Sequence, residues 1–183
     1  MTTALVTGGT SGIGAAFARA LAARGHDLIL VARDAERLTS CAAELSERYG
    51  VQVETLAADL AVRTDVLTVA DRLSDAERPV EILVNNAGYG LHVKLLDDDL
   101  DAHTRAIDVM CVAVLILGGA AGRAMRARGH GTIINTASLA AYISQGAYSP
   151  IKAWVLAYSE GLANELHGSG VGVTADRKST RLN

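Results

Sequence analysis

Apolar positions along the chain come in short continuous bursts, separated by longer stretches in which they recur at helical spacing. The bursts are ALVT at 4–7, LILVA at 28–32, VQVETLA at 51–57, EILVN at 81–85, GTIINTA at 131–137 and VGVTA at 171–175. Runs this short, apolar on successive residues or rich in β-branched ones, are what strands covered on both faces look like. The helical pattern occupies 12–24, 35–49, 64–76, 100–128 and 147–167. Strict alternation of strand and helix predicts an α/β fold: about six strands in one doubly wound parallel sheet with right-handed crossovers. Residues 109–121 are apolar nearly all round, so their helix needs cover on its outer side as well, which predicts a subunit interface. The same run is too short to span a bilayer.

Composition narrows the picture. The 183 residues make one domain with a sizeable core, and at 50% apolar but only 4% aromatic that core is built from Ala, Val, Leu and Ile. A net charge of −3 without a basic stripe argues against nucleic acid as a partner. Cys41 and Cys111 offer no disulfide framework or metal spacing and read as reduced, buried thiols, while the five histidines are scattered. The run Asp97-Asp98-Asp99 reads as helix-capping carboxylates, so no metal is expected. A strand beginning at Ala4 leaves no room for a leader, and the expectation is a soluble, cytoplasmic domain.

The first strand runs into TGGTSGIG at 7–14 and then into a helix. Gly8 permits a tight turn, Gly12 lets backbone approach a pyrophosphate, and Gly14 lets helix and strand pack closely. Thr10, Ser11 and Ile13 complete this loop, whose helix N-terminus offers free N–H groups to phosphate. The context of strand, glycine turn and helix predicts a dinucleotide coenzyme, and the missing Lys-Ser/Thr ending excludes a Walker loop. At the end of the second strand a carboxylate would select NAD, whereas an arginine accommodates the 2′-phosphate of NADP. Here Ala32 is followed by Arg33, which favours NADP over NAD. Asp34 reads as the cap of the next helix.

Tyr148 and Lys152 in YSPIK stand four apart, so they share a helix face, and a nearby ammonium is expected to lower the phenol pKa. Pro150 fits only a first helical turn, which starts the helix near Ala147. Ser138 follows the fifth strand and NNAG at 85–88 follows the fourth, both at strand carboxyl ends where such sheets bind ligands.

With TGGTSGIG, NNAG, a serine and YSPIK in this order, the chain resembles the short-chain dehydrogenase/reductase family in its simpler, non-extended form, from Met1 to about Ala175. The resemblance implies a Rossmann fold and NAD(P)-dependent interconversion of a small carbonyl and its alcohol, within a homodimer or homotetramer. It gives Tyr148 the role of acid/base, Ser138 that of holding the carbonyl oxygen, and Lys152 that of tuning Tyr148 and binding the nicotinamide ribose. Asn86, Ala87 and Gly88 would line the coenzyme, and Asp59, followed by Leu60, would meet the adenine; the simpler reading of Asp59 is a helix cap. An extended epimerase or dehydratase fits the glycine spacing less well.

The chain departs from the family at two places. Met110 stands where the family commonly has an asparagine that helps hold a water on a proton relay, with Asp108 a candidate substitute. The interval from Ser138 to Tyr148 is short, so 139–147 must turn tightly; Tyr142 is a candidate pocket wall, with simple packing the preferred role.

The family usually continues past its sixth strand into a substrate-binding segment and a last strand, whereas here DRKSTRLN follows Ala175. That string resembles a translated sequencing adapter, which predicts a coenzyme domain at 1–175, a disordered, non-native tail at 176–183 and an edge strand at 171–175. The second functional reading is therefore a truncated, non-catalytic coenzyme-binding remnant.

Overall fold

The computed structural model describes residues 2–91, 93–98, 100–144 and 146–177. Six parallel strands form one sheet in the order β3-β2-β1-β4-β5-β6. They are β1 (Thr3–Thr7), β2 (Asp27–Ala32), β3 (Val53–Ala57), β4 (Ile82–Asn85), β5 (Gly131–Thr136) and β6 (Val171–Asp176). The connecting helices are α1 (Gly12–Ala22), α2 (Ala35–Tyr49), α3 (Arg63–Ser74), α4 (Leu100–Ile107), α5 (Ala113–Arg128) and α6 (Tyr148–Glu165). The doubly wound fold is the one the pattern predicts.

Successive residues of one strand feed opposite cores, because side chains alternate across a sheet. Leu5 and Ile29 join Val69, Leu73, Leu117 and Ile151 from α3, α5 and α6. Their neighbours Ala4, Val6, Leu28 and Leu30 join Ala18, Ala22, Leu38 and Leu45 from α1 and α2. Chain order places β1 beside β4, so the turn after β1 and the segment after β4 meet where the sheet reverses its winding.

Three local differences from the sequence pattern matter. Residues 100–128 do not form one uniform helix: a π-turn, Asp108–Val112, separates α4 from α5, and the Ala113 N–H donates to the Asp108 carbonyl five residues back. Such insertions widen a helix and cluster at functional sites. The whole helical run Leu100–Arg128 is long and apolar enough to cross a membrane, so length does not exclude a span; its apolar window is 61% buried, which makes it a core helix of this fold. Its outer side exposes Ile107 and Leu115 rather than a continuous apolar surface. Finally, β6 extends through Asp176, which pairs with Thr136, and lies at the sheet edge as expected. Of the 176–183 segment, Lys178–Asn183 lie outside the described residues.

One buried polar chain crosses this apolar interior. Asn85 on β4 donates its Nδ2 to Asn135 Oδ1 at 2.9 Å, and Asn135 Nδ2 donates to Ser159 Oγ at 3.0 Å. Ser159 Oγ in turn donates to the Val155 carbonyl at 2.6 Å. The chain fastens β4, β5 and α6 together beneath their functional ends. Asn135→Ala leaves the Asn85 amide without its acceptor and is expected to lower unfolding free energy by about 2–3 kcal/mol in urea denaturation.

Candidate active site

The Thr7 hydroxyl organises the meeting of β1 and β4. It donates to the Val84 carbonyl at 3.3 Å and accepts from the backbone N–H groups of Asn86 and Ala87 at 2.9 and 3.0 Å. Asn86 Nδ2 donates back to the Thr7 carbonyl at 3.1 Å. Gly8 turns the chain at φ 66°, and a Cβ at Gly14 would run into the Gly8 carbonyl oxygen and Asn86 Nδ2. A Cβ at Gly12 meets nothing within 4 Å, so its backbone lies open. Ser11 makes no side-chain cap bond and α1 has no acidic residue in its first turn, so the helix end is free to receive an anion.

A cleft of about 600 Å³ opens above this turn. Of the residues predicted for a coenzyme, Gly8, Thr10, Ser11, Arg33, Asp59, Leu60, Ala87 and Gly88 line it; Gly12, Ile13, Gly14, Asn86, Tyr148 and Lys152 do not. Arg37, Tyr89, Arg105 and Val109 line it without having been singled out from the sequence. Arg37 carried a legible signal, since it lies four residues beyond Arg33 in the first turn of α2. Asp34 caps that helix, accepting from the Arg37 N–H at 3.0 Å, as expected.

Asp59 does not cap α3, which begins four residues later behind Val62. Its Oδ1 accepts from the Ala61 N–H at 3.0 Å, and its Oδ2 pairs with Arg105 Nη2 at 2.7 Å. Burial pushes the carboxyl pKa up, but the Ala61 bond and the Arg105 guanidinium outweigh it and hold Asp59 below its ordinary value.

Ser138, Tyr148 and Lys152 come together beside this cleft. Ser138 starts a 3-10 turn, Leu139–Tyr142, accepting from the Ala140 N–H at 3.1 Å, and it hydrogen-bonds Tyr148. Tyr148 is the first residue of α6, with Pro150 in the first turn. The expected lowering of the phenol pKa does not follow from this geometry: burial pushes it up, opposed only by the bond to Ser138. The physical reason lies with Lys152, whose Nζ sits 5.5 Å from the Tyr148 ring centroid and donates to the Thr136 carbonyl at 2.8 Å. Burial lowers its own pKa to about 8, with Cys111 opposing the shift.

The surroundings correct two further expectations, those for Tyr142 and Cys41. Met110 is buried and fills the space under Gly88, where a Cβ would meet its Sδ at 3.0 Å. Asp108 interacts electrostatically with Arg105. Tyr142 is 57% exposed, which rules out a packing role here, and its hydroxyl accepts from Arg177 at 2.9 Å. Cys111 is buried as read, with its thiol pushed up to about 11 by that burial, but Cys41 is only half-buried. Of the acidic run at 97–99, Asp99 lies outside the described residues.

The chain is similar in sequence and fold to known proteins. The family model described as short chain dehydrogenase matches residues 2–176. Sulfoacetaldehyde reductase 2 of Chromohalobacter salexigens is 40% identical over 176 residues, covering 93% of this chain and 69% of that protein. A short-chain dehydrogenase from Sphingobium yanoikuyae in complex with NADPH superposes with a TM-score of 0.94 at 38% identity, over 98% of this chain and 71% of that one. An NAD+-bound xylitol dehydrogenase superposes with a TM-score of 0.88 at 27% identity, over 97% and 70%. The chain spans between 52% and 75% of the lengths of several curated relatives.

The packing around the glycine turn is open to direct test. Gly14→Ala forces a methyl into the Gly8 carbonyl and is expected to destabilise the fold by about 2–4 kcal/mol in urea denaturation. Gly12→Ala meets only the strain of its left-handed backbone, about 1 kcal/mol.

Proposed function

The chain belongs to the short-chain dehydrogenase family, and on that premise we propose an NADP-dependent oxidoreductase that interconverts a small carbonyl compound and its alcohol by hydride transfer. The observation that carries the proposal is the convergence of Ser138, Tyr148 and Lys152 beside a cleft lined by the glycine turn and by Arg33.

The residues fit a dinucleotide phosphate. The α1 end is free for the pyrophosphate, and Arg33 and Arg37 are exposed cations without an ion pair among the described residues. NADPH, when bound, would supply the hydride, which carries the electron pair that reduces the carbonyl carbon. Tyr148 gives its phenolic proton to the carbonyl oxygen, and a pKa pushed up by burial keeps that proton in place at neutral pH. Ser138 holds the same oxygen by a hydrogen bond while steadying the phenol. The Lys152 ammonium stabilises the phenolate left behind and holds the nicotinamide ribose. Gly88 lines the cleft and leaves no room for a side chain, because a Cβ there would meet Met110. The two free thiols suit a reducing cytoplasm. Exposed Ile107 and Leu115 on the long helical run are the proposed seat of a homo-oligomer contact.

Assay of a panel of ketones and aldehydes with NADPH is expected to show turnover that Tyr148→Phe lowers by about 100-fold or more. Equal background in both proteins would leave a coenzyme-binding domain without turnover. For reduction, kcat/KM should stay level below pH 8 and fall above it, since Lys152 loses its charge near pH 8, earlier than an exposed lysine would.

A further inference from the structure

The cations of the coenzyme cleft are not equivalent. Arg33 and Arg37 have no ion pair among the described residues, whereas Arg105 holds Asp59 at 2.7 Å across a sequence separation of 46 residues. This bridge ties α4 to the loop after β3. With the Ala61 N–H on its other oxygen, it fixes both carboxylate oxygens of Asp59. Arg33, Asp59 and Arg105 line the same cleft, and Asp59 feels the charge of Arg33 as well as that of Arg105.

We propose that Arg105 is a positioning residue that sets the coenzyme preference, latching the Asp59 carboxylate so that Arg33 stays available to the 2′-phosphate. The inference rests on the NADP reading of the same cleft. Without Arg105, Asp59 would carry an uncompensated charge, and Arg33 would be the remaining cation within its reach. The carboxylate would then compete for Arg33 and repel the phosphate. NADH carries no such phosphate, so its binding would be spared. A bridge that merely stapled α4 to the sheet would weaken both coenzymes alike and lower the melting temperature.

The test measures NADPH and NADH dissociation constants by coenzyme fluorescence for the full chain, Arg105→Gln, Arg105→Gln with Asp59→Asn, and Arg33→Ala, each with its melting temperature. Arg105→Gln should weaken NADPH about tenfold, near 1.4 kcal/mol, and NADH less than about twofold. The double variant, lacking the freed charge, should return the ratio of NADPH to NADH affinity to within about threefold of the wild type, since any adenine contact of Asp59 is common to both coenzymes. Equal loss for both coenzymes, or a double variant whose ratio is no closer to the wild type than the single one's, overturns the latch. Arg33→Ala separates the two readings. If it abolishes the NADPH preference while Arg105→Gln leaves the ratio intact, only the latch falls. If the wild type prefers NADH, or Arg33→Ala leaves the ratio unchanged, the NADP reading falls and the latch with it.

Discussion

The site depends on how closely three pieces of backbone approach one another around the Thr7 hydroxyl. One oxygen donates to β4 and accepts two N–H groups from the segment after it, and Asn86 answers with a bond to the Thr7 carbonyl. Those bonds hold the fourth strand's exit against the glycine turn. Gly14 lets the start of α1 enter the same space, since no Cβ fits there. Parallel order makes this possible: β1 and β4 are neighbours with opposite winding on either side, so their carboxyl ends leave a crevice. The cleft, the free helix end and the segment under Gly88 all follow from that junction.

A second layer of the architecture concerns protons. Lys152 and Tyr148 are held in a partly dry setting, where burial disfavours charge on both: it lowers the ammonium pKa to about 8 and raises that of the phenol. The two shifts have one cause and each favours the uncharged form, so the phenol keeps its proton at neutral pH while the ammonium gives its proton up nearer neutrality than an exposed lysine does. The carbonyl of Thr136 steadies the ammonium, and the adjoining chain from Asn85 through Asn135 to Ser159 keeps β5 and α6 in register beneath it. A buried polar network of this kind works only when each member has its partner.

Alternating strand and helix patterns made the sheet legible from the sequence, and α2 occupies 35–49 as the pattern has it. Motif order likewise marked Ser138, Tyr148 and Lys152, which the fold brings together. What escaped was whatever depends on distant partners or on burial. The π-turn at Asp108–Val112 leaves no trace in the apolar spacing, because one extra residue in a turn changes hydrogen bonds more than side-chain period. Arg105 and Asp59 are separated by too much chain for any spacing rule to join them. Asn135 and Ser159 lie inside an apolar strand and a helix, where a polar residue shows its purpose only when its partner is visible. The direction of the Tyr148 shift was misread for the same reason: a lysine four residues away is a sequence fact, but its bond to a strand carbonyl is not.

The central claim is that the Tyr148 side of the cleft delivers a proton to the same bond that takes a hydride from the coenzyme. The most direct measurement supplies NADPH carrying deuterium at the transferring position of the nicotinamide C4, together with a ketone that the chain reduces, and analyses the alcohol by mass spectrometry and NMR. The account predicts one deuterium on the carbinol carbon of the alcohol, and none on that carbon when unlabelled coenzyme is used in deuterated water, where deuterium enters only the exchangeable hydroxyl. An alcohol without deuterium at that carbon, or no alcohol from any ketone while NADPH still binds, would contradict it.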